Sequence, residues 1–311
     1  MRSCAFTAGS AALLYMNMAF TPSLTSPTHE AWLTETKAWR VEHGADLQKP
    51  DGWLSLAGLE WLAPGDNSFG GASDNTIHLA GLQTAHLGVL RLEGATVHLA
   101  PPSENFPAGF LVAGSPPKPQ LLPTDADSDN NAPHMTIGTL NMYVIRRGDR
   151  FALRVKDSKS QPLQSFHGEN WYEPDEHFRV IAKWIPYNPP RTVSLLTLAG
   201  TSYTQPVPGA AEFQISGATF QLEPVVEDSE PNKLFFVLRD TTSTKTTYGA
   251  CRFLYTGLPD HGLTQPGELV MDFNRLENPP CAYTPFATCP LPPKGNRLPI
   301  ALPVGERRYH N

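Results

Sequence analysis

Apolar and polar residues alternate along much of the chain beyond residue 76, a pattern typical of β-strands that bury one face. The clearest case is GVLRLEGATVHLA, in which alternating apolar positions flank a turn at Glu93-Gly94. LNMYVIRRGDRFALRVKD, with a turn near Gly148, AEFQISGATFQLEP and KLFFVLRDTTSTKTTYGACRFLY repeat this arrangement. Each stretch predicts a β-hairpin, and NTIHLAG and GELVMDFN predict single strands.

A different period occurs near the N-terminus and predicts one helix. Ser26 is a good N-cap and Pro27 suits the first helical position. Trp32 and Trp39 are seven residues apart, which places both on one face of a helix that extends to about Val41. We expect this short amphipathic helix to pack on the body of the protein.

Composition supports a fold built on strands and turns. The chain has 31 prolines and 24 glycines, which favours many turns and strand edges. We therefore predict an all-β protein with two packed antiparallel β-sandwich or barrel units and a short N-terminal helix. Residues 1–25 form a leader, residues 26–165 hold the helix and first unit, and residues 166–311 form the second unit. Two loops are expected, an acidic one at 115–133 and one at 165–177 that separates the units.

The leader, MRSCAFTAGSAALLYMNMAF, has a positive residue followed by an apolar stretch, as in a signal peptide. Export to the periplasm or secretion is the expectation, and a disordered tail on a cytoplasmic protein is the alternative. Cys4 is expected to leave with the signal. The stretch is too short to span a membrane, so no integral membrane segment is predicted.

Charge and motifs exclude several functional classes. The net charge of −6 and the absence of a basic cluster argue against nucleic-acid binding. Gly-x-Ser-x-Gly, a Walker loop and a dinucleotide glycine fingerprint are all missing, and the ten histidines show no metal-ligand spacing. No cofactor and no metal is predicted.

Four stretches resemble a known family. PDGWLSLAGLEWLAPGDNSFG, ALRVKD, LFFVLRDTTSTKTTYGACRFL and DFNRLENPPCAYTPFATCPLPPKGNRLPIALPVGE resemble the bacterial domain-of-unknown-function family sixteen-eighty-four. The resemblance covers almost everything after the leader, and it implies a defined protein type without implying a reaction.

A second resemblance concerns the first unit. LAPGDNSFGGASDNTIHLAG followed by ATVHLAP is similar to the opening of a forkhead-associated domain, a β-sandwich that binds phosphothreonine. That family uses Gly-Arg and Ser-Arg-x-His for phosphate, whereas Gly70 is followed here by Gly71, and His86 lacks the serine and arginine. The fold is expected to be shared and phosphopeptide binding is not.

The stretch NPPCAYTPFATCPLPP, residues 278–293, contains six prolines and two cysteines. Prolines exclude it from helices and central strands, so it is a rigid loop. Cys281 and Cys289 are close enough in sequence for a disulfide, which is common in exported proteins. The alternatives are that Cys281 is a nucleophile or that three cysteines approach a metal. Cys251 is expected to be a buried free thiol.

Polar residues cluster in sequence around this loop and the preceding strands. They are either a ligand site or a hydrogen-bond network that satisfies the loop's backbone. Asn278, Arg297 and Glu306 are expected to bond to the loop backbone, and Tyr248 and Arg252 are expected to share one face of a strand. The candidate residues are Arg239, Asp240, Tyr248, Arg252, Asp272, Asn274, Asn278, Cys281, Tyr283, Thr284, Asn296, Arg297 and Glu306.

Two functional hypotheses follow. The first is a binding module for a small molecule, a glycan or a peptide, with its site near the Pro/Cys-rich loop. The alternative is a hydrolase at the same site, with Asp240, Asp272 or Glu306 as acid or base and Arg252 as the anion stabiliser. A raised carboxylate pKa in a cleft favours the enzyme.

Overall fold

A computed structural model describes residues 27–127, 132–227 and 229–309 of the 311-residue chain. Strands in several sheets make up most of the regular structure, and the described residues contain two α-helices. This confirms the predicted all-β class with an N-terminal helix. Within the described ranges the sheets remain open, so the barrel alternative is wrong. The leader at residues 1–25 and Cys4 lie outside the described residues.

The first ten strands form two five-stranded sheets. In chain order they are β1 Leu56–Trp61, β2 Gly65–Gly70, β3 Ile77–His78, β4 Gly88–Glu93, β5 Thr96–Ala100, β6 Leu111–Val112, β7 Gln120–Leu122, β8 Met135–Ile137, β9 Leu140–Arg147 and β10 Arg150–Asp157. One sheet has the order β1-β10-β9-β8-β6 and the other β3-β2-β4-β5-β7. Their inner faces share one apolar core that includes Phe69, Leu90, Met142 and Leu153. The predicted sandwich is therefore present.

The remaining strands belong to a four-stranded and a two-stranded sheet. They are β11 Arg179–Leu196, β12 Ser202–Ile215, β13 Ala218–Leu222, β14 Lys233–Leu238, β15 Arg252–Gly257 and β16 Gly267–Asp272. The four-stranded sheet has the order β13-β12-β11-β16, and β14 pairs with β15. Trp184, Phe213, Phe236 and Leu254 join the two sheets in a common core.

Helix α1, His29–Leu47, begins later and extends further than the sequence predicts. Its N-cap is Thr28, whose hydroxyl accepts from the amide of Ala31 at 3.3 Å, whereas Ser26 lies outside the described residues. The buried Trp32 anchors the helix, because its indole Nε1 donates to Asp272 at 2.7 Å. A second short helix, α2, spans Gln161–Gln164.

Proline made two regions hard to predict. The 18-residue β11 was missed, since Pro186, Pro189 and Pro190 argue against a strand. The structure accommodates them where the register with β12 shifts between Pro186 and Arg191, so the missing donors interrupt no regular ladder. Strand β7 also lies inside the predicted loop at 115–133.

The hairpin formed by β14 and β15 is confirmed, but its second arm is shorter than expected. Strand β15 begins at Arg252, so Tyr248 lies in the connection and shares no strand face with Arg252. Among the described residues, no helix combines the length and apolarity needed to span a membrane.

Candidate functional site

One face of α1 carries the side chains that approach the second group of sheets. Trp39, His43 and Leu47 follow one another at intervals of four residues, which places them on one side of the helix. The helix is held there by an ion pair between Glu35 and Arg275 at 2.5 Å and by Arg40, which donates to the carbonyl of Tyr172 at 3.0 Å. The anchored helix therefore positions His43 against the C-terminal part of the chain.

His43 lies between two carboxylates. Its Nδ1 is 2.5 Å from Oε1 of Glu169, and its Nε2 is 3.1 Å from Oε2 of Glu277. The exposed fractions of the three side chains are 11%, 4% and 8%, so the cluster is nearly dry. Burial opposes the charged imidazole, but the hydrogen bonds to Glu169 and Glu277 outweigh it and raise the pKa of His43 to about 10. His43 is therefore a fixed cation that holds both carboxylates in place.

Glu306 forms a second buried acidic group beside this cluster. Its carboxylate accepts from the amide of Asn278 at 2.6 Å, from Nδ2 of Asn278 at 2.7 Å and from the hydroxyl of Tyr283. Burial first, and then the negative charge of Glu169, raise the pKa of Glu306 to about 8, although these hydrogen bonds oppose the shift. Glu306 is thus mostly protonated at neutral pH. Three predicted residues, Asn278, Tyr283 and Glu306, are brought together here.

A cleft of about 940 Å³ opens on the exposed side of His43. We call it the helix cleft, and six residues define it: Trp39, His43, Trp53, Glu227, Tyr255 and Glu277. Trp39, Trp53 and Tyr255 are half-buried and give it partly apolar walls. Lys156, Lys233 and Arg275 add positive groups. The cleft therefore combines aromatic surface with fixed acceptors and donors.

Tyr255 bonds to Glu227, one of the acidic residues that line the helix cleft. Its hydroxyl donates to Oε2 of Glu227 at 2.9 Å. Burial and the nearby charges of Glu227 and Glu277 raise the pKa of Tyr255 well above its ordinary value, so the hydroxyl keeps its proton. Burial also raises the pKa of Glu227. One cleft thus holds a carboxyl group whose pKa is raised by burial, Glu227, and a carboxylate paired with a cation, Glu277.

The predicted residues Arg252 and Asp240 form a separate, fully buried ion pair of 2.7 Å. Arg252 also donates to the carbonyls of Leu302 at 2.9 Å and Val304 at 2.5 Å. Asp240 accepts from the amides of Thr242 and Leu302. The guanidinium thus fastens the C-terminal segment to β15, away from the residues that line the helix cleft.

Three other predicted residues bond mainly to the protein backbone or to α1. Asp272 accepts from Trp32 and from the amide of Asn274 at 3.0 Å, and Asn274 bonds to both backbone groups of Asp175. Asn296 exchanges hydrogen bonds with the backbone of Glu223 at 2.8 and 2.9 Å. These contacts join loops to the sheets.

The remaining predicted residues lie around the proline-rich loop. Tyr248 donates to the carbonyl of Cys281 at 2.9 Å, and Thr284 donates to the carbonyl of Leu56 at 3.2 Å. Arg239 and Arg297 meet through their backbones in a parallel bridge. The side chain of Arg297 is exposed, and its bond to the loop backbone stays a prediction. Glu306 accepts from the backbone amide of Asn278 at the start of the loop, whereas Nδ2 of Asn278 donates to Glu306 and to the carbonyl of Arg307.

The cysteines differ from the prediction in one respect. Cys251, Cys281 and Cys289 are all free thiols, so the expected disulfide is not formed. The two residues are in contact all the same, because Sγ of Cys289 accepts from the amide of Cys281 at 3.2 Å. Cys251 is a buried free thiol, as predicted. Within the described ranges, no group of three His, Cys, Asp or Glu side chains is placed to hold a metal ion.

Sequence reasoning missed the charged cluster of His43, Glu169 and Glu277 beside the helix cleft. His43 was overlooked because a single histidine on a helix matches no ligand spacing, although its position four residues after Trp39 was a usable signal. Glu277 stands inside the motif NRLENPPC, directly before Asn278. Glu169 lies in the loop that was expected to separate the two units. The three residues meet only through the fold.

Comparison with known proteins adds a family and no activity. Residues 164–307 match the family model described as "Protein of unknown function (DUF1684)", which confirms the family resemblance for that part of the chain. A solution NMR structure of an uncharacterized protein from Haloarcula marismortui is similar at 28% identity, covering 46% of this chain and 78% of that chain, with a TM-score of 0.39. A search of curated proteins finds no match.

Proposed function

We propose that this protein binds a small, hydroxyl-rich ligand of the glycan class in the helix cleft. The observation that carries the proposal is Glu277, a carboxylate held at the cleft wall by the His43 cation 3.1 Å away. A preorganised acceptor of this kind loses little freedom when a hydroxyl group binds. The site borders the first residue of the proline-rich loop, near where the sequence places it.

Size and lining support a small-molecule ligand. Ligand clefts usually measure about 300–1,000 Å³ and combine apolar walls with a few oriented polar groups. A saccharide presents hydroxyl groups and apolar C–H faces, which match the carboxylates of Glu227 and Glu277 and the half-buried rings of Trp53 and Tyr255. Charges of both signs line the cleft, so the lining does not select a ligand of one charge.

The test is a glycan array followed by calorimetric titration of the best saccharide. Glu277→Gln is expected to weaken binding at least about tenfold, since a hydrogen bond to a charged group contributes about 1.5–3 kcal/mol. Glu268→Gln, an exposed carboxylate of β16 outside the cleft lining, is the matched control and should bind like the wild type. Saccharide binding that survives Glu277→Gln unchanged contradicts the site, and binding of peptides alone contradicts the ligand class.

Glycoside hydrolysis is a second candidate, and one observation favours it. Glu227 has a raised pKa and Glu277 is paired with a cation, so the two carboxyl groups of one cleft are differentiated as an acid and a base require. Aryl glycosides are the substrates to test. Activity that disappears in both Glu227→Gln and Glu277→Gln, but not in Glu268→Gln, supports this function. An array-positive saccharide that remains intact after prolonged incubation leaves the protein as a binding module.

Export remains part of the proposal. The positive residue and apolar stretch in the first 20 residues support a cleaved signal peptide and a periplasmic or secreted protein. N-terminal sequencing of the native protein is expected to find a start after about residue 20. An intact Met1 in a cytosolic fraction contradicts this expectation.

A further inference from the structure

Two of the free cysteines lie side by side in the proline-rich loop, and neither lines the helix cleft. Cys281 belongs to a 3₁₀ turn at Pro280–Ala282. Cys289 lies directly before Pro290, which forms a β-bridge with Thr197. Tyr248 fixes the carbonyl of Cys281 at 2.9 Å, and Leu198 donates to the carbonyl of Cys289 at 3.0 Å. Both backbones are therefore fixed while the amide of Cys281 lies 3.2 Å from the sulfur of Cys289.

The two thiols differ in access. Cys281 is half-buried and lines a second cavity of about 370 Å³ together with Trp61, Tyr248 and Phe286. Cys289 is 4% exposed and is absent from the lining of this cavity, although it borders a smaller cavity of about 260 Å³ beside Trp53. A small reagent that enters the cavity therefore meets Cys281 first.

The surroundings of the pair also make the thiols chemically unequal. The hydrogen bond from Cys289 lowers the pKa of the Cys281 thiol, against the opposing effect of burial. Burial raises the pKa of Cys251 well above its ordinary value, and the same contact with Cys281 raises that of Cys289. The thiolate, which is the nucleophilic form, is thus favoured at the accessible member of the pair.

We propose that Cys281 and Cys289 form a reversible redox site, in which Cys281 reacts with a small hydroperoxide and Cys289 resolves the product as a disulfide. The Cys281 thiol gives its proton to water, its sulfur attacks the terminal peroxide oxygen and the O–O bond breaks. The alkoxide or hydroxide leaves and takes that proton from water. Sulfur is oxidised to sulfenic acid and the peroxide is reduced to an alcohol or water. The Cys289 thiol then attacks that sulfur, the S–S bond forms, and the hydroxyl leaves as water with the thiol proton.

The geometry predicts what this step does to the loop. A disulfide across the eight-residue separation of Cys281 and Cys289 joins the two ends of the segment CAYTPFATC, which contains Pro285 and is flanked by Pro280 and Pro290. The proposal also explains how free thiols and the disulfide expected from the sequence belong to one protein: they are its reduced and oxidised states.

The experiment treats the full chain with hydrogen peroxide in the presence of dimedone, which traps sulfenic acids, and maps the products by mass spectrometry. The wild type is expected to lose two hydrogens and yield a Cys281–Cys289 peptide with little dimedone adduct. Cys289→Ser should lose the disulfide and accumulate the adduct on Cys281, and Cys281→Ser should lose both products. Cys251→Ser is the matched control and should behave like the wild type.

Two further measurements keep the outcome independent of folding defects and of the helix cleft. Limited alkylation of the unmodified protein with iodoacetamide should label Cys281 before Cys251 and Cys289. Glu277→Gln should oxidise like the wild type, because Glu277 lines neither of the cavities that Cys281 and Cys289 line. First labelling of Cys251 or Cys289, or a disulfide that persists in Cys281→Ser, overturns the proposal.

Discussion

Replacing Arg252 by methionine is expected to lower the free energy of unfolding by about 3–5 kcal/mol, the usual cost of removing one partner of a buried ion pair. The guanidinium is fully buried, and it bonds to Asp240 and to the carbonyls of Leu302 and Val304. Methionine fills part of the space but leaves both carbonyls and the Asp240 charge without this donor. The amides of Thr242 and Leu302 still contact Asp240, which keeps the loss within that range.

Urea denaturation measures this change as a lower midpoint with an unchanged slope. Arg239→Met is the matched control: Arg239 is partly exposed, so its replacement should cost under about 0.5 kcal/mol. The double variant Arg252→Met/Asp240→Leu should recover part of the loss, because an apolar pair replaces the orphaned carboxylate. A loss below about 1 kcal/mol for Arg252→Met refutes the reasoning, since it means that the pair is not dry in solution.

Three further predictions concern a glycine, pH and the first sandwich. Gly305→Ala should be clearly more destabilising than Gly217→Ala in the same urea assay: both residues have positive φ, but only at Gly305 does an added Cβ meet Leu276, at 2.6 Å. The pKa of Glu306 is raised from 4.5 to about 8 and that of His43 from 6.5 to about 10, so the stability that these two groups contribute is lost as pH rises from about 4.5 to 10. Glu306→Gln should flatten the lower part of this profile. A wild-type stability that rises over this window contradicts the assignment. The first sandwich should bind no phosphothreonine peptide, and micromolar binding in a titration contradicts this.

The hairpins could be predicted because their signals are local. Alternation and a turn residue lie within one stretch, as in β9 and β10. Gly148 in the turn between them adopts a positive φ of 65°. Strand β11 could not, since its prolines are tolerated only through pairing with β12, which the sequence does not display. The misassigned face of Tyr248 has a similar cause: the start of β15 depends on its pairing with β14.

The candidate site was only partly accessible to sequence reasoning. Asn278, Tyr283 and Glu306 were selected as polar residues near the proline-rich loop, and they do meet. The ion cluster of His43, Glu169 and Glu277 joins three distant parts of the chain, and no spacing rule connects them. The role of Arg252 depended on burial, which a strand-end position alone does not reveal.

The most direct test of the central claim, a saccharide in the helix cleft, is fluorine NMR of the protein labelled with 5-fluorotryptophan. The chain has six tryptophans; Trp53 lines the helix cleft and Trp61 lines the second cavity, so each reports on one site. Trp53→Phe and Trp61→Phe assign the two resonances. Titration with the best saccharide from the array is expected to shift the Trp53 signal in a saturable manner and leave the Trp61 signal unchanged. A saturable shift of Trp61 without Trp53, or no shift of Trp53 at saccharide concentrations that saturate the calorimetric titration, contradicts the account.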